Sequence, residues 1–150
     1  MTTRRFAGIF GAVFLIIGVL GFVPGINHMH HGDPNLAIEG PGHGHLLGLF
    51  HVNVVHNLIH VAFGVGGLLA ARRAAAAKGY FQFVAVSYLG LALLGLVSAG
   101  NVNNLFGVVP IHGNDVWLHA IIGLSAAVLG FLRTSAHDRG GRYAGRPSTA

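Results

Sequence analysis

Four stretches of this chain are apolar enough to cross a bilayer, with a long histidine-rich segment between the first two. A helical span needs about 17 to 25 mostly apolar residues. The candidates cover residues 6–23 ("FAGIFGAVFLIIGVLGFV"), about 53–71, about 80–99 starting at Tyr80, and about 115–133, which contains "VWLHAIIGLSAAVLGFLR". Hydrophobic residues make up 53% of the chain and charged residues 9%, with a mean hydropathy of +0.64. So few charges cannot cover a water-facing surface. The predicted class is all-α: a polytopic membrane four-helix bundle, with residues 1–133 as one four-span domain. Residues 134–150 lack apolar periodicity and are expected to form a disordered basic cytoplasmic tail. The first apolar run exceeds the roughly 7 to 15 residues of a secretory signal and no small-x-small site follows it, so it is expected to remain as a span.

Charge placement sets the expected orientation. Arg4 and Arg5 precede the first span, Arg72, Arg73 and Lys78 lie between the second and third, and Arg133, Arg139, Arg142 and Arg146 follow the fourth. All nine basic residues thus fall on one side, opposite Asp33, Glu39 and Asp115. The positive-inside rule then places both termini in the cytoplasm of a multi-pass protein of the bacterial cytoplasmic (inner) membrane. The pI near 10.8 follows from this sorting. The expected partner is therefore the lipid bilayer, and nucleic acid is excluded. With no cysteine in the chain, disulfides, thiolate metal sites and thiol catalysis are excluded as well.

Sliding the sequence on itself by 59 positions lays "LLGLFHVNVVHNLIHVAFGVGGLLA" from Leu46 over "LFGVVPIHGNDVWLHAIIGLSAAVL" from Leu105 without a gap. Gly48 meets Gly107, His60 meets His119, Gly64 meets Gly123, and His56 meets Asp115. Both segments end spans running in the same direction. They predict two parallel helical-hairpin repeats related by an axis along the membrane normal. Pro110 and Gly113 discourage a helix before Asn114, so Asn114 or Asp115 is the expected cap of the last helix and Asn53, by analogy, that of the second. Asn57 is expected to help fix register.

The pattern "VNxxHNxxH" at 52–60, the later "NDxWLH" at 114–119 and the glycines beyond each resemble the bacterial membrane family catalogued as domain of unknown function 4383. The resemblance covers roughly residues 6–133. The family pattern has proline where this chain has His51. The resemblance implies the four-span fold and its topology, and no activity.

Eleven histidines against four acidic residues pose the functional question. Residues three and four apart share a helix face. His56, His60, Gly64 and Gly67 therefore form one stripe, and Asp115, His119, Gly123 and Ala126 form its counterpart. Small residues permit close helix contact, and polar groups in lipid turn toward protein or water. One reading has His60 and His119 hydrogen-bonded across helices, to Asn57, Ser87, Tyr88 or a carbonyl. Another makes His56, His60, Asp115 and His119 a nitrogen–oxygen ligand set for Zn²⁺, Ni²⁺ or Cu²⁺. A b-type haem between His60 and His119 is disfavoured, because glycines on the same face call for close packing. Proton handling by the His–Asp cluster is a further alternative.

The outer segment carries His28, His30, His31, His43 and His45 with Asp33 and Glu39. It reads either as a solvated loop or as a tract that captures divalent metal. No nucleophile–base pair or phosphate loop points to an enzyme. The competing class is a structural or accessory subunit that packs against itself or against a membrane-protein partner in a larger complex, through small residues such as Ala62, Gly66 and Ala70.

Overall fold

The structure, a computed structural model, describes residues 1–133; the expected tail at 134–150 lies outside the described residues. Helix α1 spans Thr3–Leu20, α2 Val54–Ala70, α3 Ala74–Gly95 and α4 Asn114–Ala127, and α4 continues through a π-helical turn over Val128–Leu132. Three helical segments, Thr3–Leu20, Ala74–Gly95 and Asn114–Leu132, are long and apolar enough to cross a membrane, and Val54–Ala70 is a shorter apolar helix of 17 residues. The chain is mostly helical and multi-pass. The third helix begins at Ala74, six residues before the expected Tyr80, because "AAAA" at 74–77 is strongly helix-forming and extends it.

Helix α1 packs along α2, and α3 along α4. The first contact is set by glycine. A Cβ on Gly64 would lie 2.6 Å from the Leu15 amide nitrogen, and one on Gly67 would lie 2.7 Å from Gly11 Cα. The two backbones are therefore in near contact. The core between the pairs holds Phe14, Phe81, Val84, Tyr88, Ala126 and Leu129. Outward faces carry Ile16, Leu58, Phe83, Val86, Leu93, Ile121 and Leu132, all exposed, an apolar belt suited to acyl chains and not to water. The small-residue face is split: Ala62 is exposed, Gly66 is half-buried and Ala70 is buried.

Among the described residues, the basic side chains gather at one end. Arg4 Nε donates to the Ala71 carbonyl at 2.9 Å, and Arg133 donates to the Met1 carbonyl at 2.8 Å while its guanidinium lies over the Phe6 ring.

The opposite end differs from the loop expected there. Residues 27–52 form a three-stranded antiparallel sheet in the order β1 (Asn27–Met29), β2 (Gly44–Leu46) and β3 (Phe50–Val52). Asn27, Leu46 and Val52 are buried on one of its faces. Asn27 Nδ2 donates to the Gly21 and Gly42 carbonyls, both at 2.7 Å, which anchors the sheet to the end of α1. Between α3 and α4 the chain makes 3-10 turns over Ala99–Gly107, broken by left-handed residues that include Leu105 and Phe106.

Candidate metal centre

Helix α2 starts immediately after β3, so the first turn of α2 sits just beneath the sheet. Asn53 is its N-cap: Oδ1 accepts from the His56 amide at 2.9 Å, while Nδ2 donates to the Ile38 and Val108 carbonyls. One buried side chain thus starts the helix and ties it to both outer connections. Asn57 Nδ2 donates to the Gly42 carbonyl at 3.2 Å. Helix α4 is entered differently from the expectation. Gly113 occupies the cap position with a positive φ and no side chain to offer, and Asn114 instead donates to the Leu49 carbonyl.

With these starts fixed, His56 from α2 meets Asp115 and His119 from α4. One potential ligand atom from each lies within 4.8 Å of the others, and all three residues are buried. On a tetrahedral ion with bonds of about 2.0–2.1 Å, ligand atoms stand about 3.3 Å apart, so modest inward shifts close the set. His56 Nδ1, His119 Nδ1 and Asp115 Oδ2 are buried without a hydrogen-bond partner among the described residues. Each such atom costs about 1–3 kcal/mol if nothing satisfies it.

His60 is set apart from this triad. Its ring stacks on His56, with centroids 4.7 Å apart, and on Phe14 at 5.7 Å. One helical turn deeper, it is held by ring packing instead of converging with the other three. The Tyr88 ring stands edge-on to His119 at 5.1 Å. Among the described residues no hydrogen bond joins His60 or His119 to Asn57, Ser87 or Tyr88, so the cross-helix bonding reading fails for those partners. A cavity of about 290 Å³ opens beside the triad between α1 and α4, with Ile9, Val13, Ile17 and Leu118 among its apolar walls and His60 and Asp115 at its edge.

The outer histidines form their own cluster. His30, His43 and His51 make one set of mutually close ligand atoms, and His31, Glu39 and His43 another. His43 and His51 are buried, His30 and His45 half-buried, and His28 and His31 exposed. Neither His28 nor His45 belongs to a set. His45 is a spacer whose ring stacks on His30 and His51. His51 and His112, whose rings meet edge-on, were not among the expected site residues. Burial pushes the His51 pKa down to about 4, helped by the neighbouring His45 and His43. Burial lowers those of His43 and His45 too, His30 adding to both. Their imidazoles are therefore neutral near pH 7, the form that binds metal. The Glu39 pKa is lowered as well, but by a different cause: the Asp33 backbone amide favours its carboxylate form.

Apolar helices of spanning length, with buried histidine clusters at one end, define a multi-pass membrane protein equipped with potential metal ligands. The chain belongs to the family described as Domain of unknown function (DUF4383), whose profile matches residues 4–132. No curated protein and no solved structure matches it.

Proposed function

We propose that the chain is a divalent-metal-binding protein of the bacterial inner membrane, holding an ion of the Zn²⁺, Ni²⁺ or Cu²⁺ type between α2 and α4 through His56, Asp115 and His119. The observation that carries this reading is the convergence of three buried ligands, each with one side-chain atom that has no hydrogen-bond partner among the described residues. The carboxylate offsets one of the dication's two charges, and the two imidazoles add neutral nitrogen donors. The chemistry is nitrogen and oxygen only, which suits these metals. His60 backs the site by stacking on His56 and is not assigned as a ligand.

The scaffold for this site is a four-helix bundle of two parallel hairpins, with both termini cytoplasmic and the histidines on the outer side. Pairs of matched contacts support the duplication. Phe14 stacks on His60, and Tyr88 stands against His119. Gly64 abuts Leu15, and Gly123 abuts Leu89; Gly21 abuts Asn57, and Gly95 abuts Val116. In each pairing the α1 and α3 residues differ by 74 positions and the α2 and α4 residues by 59. Leu47 and Phe106, also 59 apart, are both left-handed (φ 54° and 58°), and each is followed by a left-handed glycine. The matching turn bonds are Leu49 N–H to Leu46 O at 3.1 Å and Val108 N–H to Leu105 O at 3.2 Å. Non-glycine residues seldom adopt that conformation, so its recurrence at equivalent positions is a specific signature.

The test is metal content and zinc affinity of the full chain in detergent micelles, compared with His56→Ala and His119→Ala. Wild-type protein is expected to bind zinc and to gain thermal stability, about 2.7 kcal/mol at a free concentration 100 times Kd. Zinc binding unchanged in both variants would remove the reading.

A further inference from the structure

The sheet carries a second convergence of imidazoles. Side chains alternate between the faces of a strand and cross-strand partners share a face. His28, His45 and His51 are partners in register, and His30 and His43 lie two residues from His28 and His45 on that same face. The His30 amide donates to the His43 carbonyl at 3.3 Å, which extends the ladder by one step. His43 Nε2 and His51 Nε2 stand 3.0 Å apart, and Asp33 Oδ2 lies 3.6 Å from His51 Nε2. These distances bracket the roughly 3.3 Å between ligand atoms on a tetrahedral ion.

We propose that His30, His43 and His51, with the Asp33 carboxylate as fourth ligand, form a second divalent-metal site on the outer sheet. The surroundings fit that role. Glu39 Oε2 lies 3.7 Å from His43 Nδ1, while its Oε1 accepts from the Gly32 and Asp33 amides, both at 2.7 Å. A short shift on metal binding would bring this carboxylate into a hydrogen bond with His43 Nδ1, the contact that fixes the tautomer turning the other nitrogen to the metal. His43 Nδ1 is buried and has no hydrogen bond among the described residues. A simple His43–His51 hydrogen bond does not explain the approach of Asp33 Oδ2 to the same His51 nitrogen. The site stands whether or not the inner triad binds, although the His51 main chain lies against both His56 and Asp115.

The test counts zinc per chain by equilibrium dialysis on the full protein in micelles. Two ions are expected for wild type, one for His30→Ala and one for His119→Ala. Glu39→Gln is expected to weaken the ion that remains in His119→Ala by about 10- to 100-fold. A single ion lost in His30→Ala and kept in His119→Ala supports the outer site and refutes the inner one. A single ion with the reverse pattern refutes the outer site, as does zinc binding that is identical in wild type, His30→Ala and Asp33→Asn. Because a variant can misfold, Cu²⁺-loaded His119→Ala and wild type are also read by pulsed EPR. Imidazole couplings that persist in His119→Ala support the outer site, and their absence overturns it.

Discussion

Replacing Gly64 by alanine tests the packing that brings the histidine stripes together. The new Cβ would lie 2.6 Å from the Leu15 amide nitrogen and 2.8 Å from its Cα, against an ordinary contact of 3.4 Å or more. The obstacle is backbone, so no rotamer change relieves it, and α1 must retreat by about 0.8 Å in a close-packed interior. Overpacking of this kind costs about 1–3 kcal/mol. Gly123→Ala meets the Leu89 backbone at 2.9 Å and its side chain at 2.8 Å, so a similar penalty is expected in the second hairpin. Among the described residues, and their own helix backbone aside, Gly79 and Gly90 in α3 have no heavy atom within 4 Å of the added Cβ, and alanine there is expected to be neutral or stabilising by up to about 1 kcal/mol. The assay is SDS-driven unfolding in mixed micelles, followed by far-UV circular dichroism and by the fluorescence of Trp117, the single tryptophan. Gly64→Ala as stable as Gly79→Ala would refute the close backbone contact, and an unperturbed Gly123→Ala would refute the equivalence of the hairpins.

The outer layer should be acid-sensitive. His51 lies among His43, His45, His112 and Asp33 and has its pKa pushed down to about 4, whereas an unfolded chain takes up that proton near pH 6.5. Its contribution to stability is therefore complete above about pH 6.5 and is lost as the pH falls toward 4. In chelator-treated protein the unfolding midpoint is expected to drop across that window and His51→Gln to flatten the slope; equal slopes contradict the assignment. Orientation is testable because the chain has no cysteine. On intact spheroplasts an impermeant maleimide should label Asn35→Cys and spare Ala75→Cys, and the reverse pattern would invert the proposed topology.

The long apolar runs were legible in the sequence because lipid tolerates so few alternatives, and three of them are helices of spanning length. Asn53 as a cap rests on analogy with the fourth helix, and it holds because its own side chain accepts from the His56 amide, although Gly113 and not Asn114 caps that fourth helix. The sheet was harder to read, since strands of three residues between glycines and prolines leave little periodicity. A trace was present: "HMH" at 28–30 and "HGH" at 43–45 repeat histidine every second residue, the spacing of one strand face. His51 was seen only as a departure from a proline, yet its register with His45 makes it central to the outer cluster. Helical spacing put His56 and His60 on one stripe but could not reveal that Phe14 holds the His60 ring aside.

The most direct measurement is zinc K-edge X-ray absorption on the zinc-loaded His30→Ala protein, in which the outer set is broken. Two imidazoles and at least one oxygen are expected at about 2.0–2.1 Å, with the imidazole scattering reduced in His30→Ala/His119→Ala. A zinc shell without imidazole, or one that His119→Ala leaves untouched, would contradict metal binding between α2 and α4.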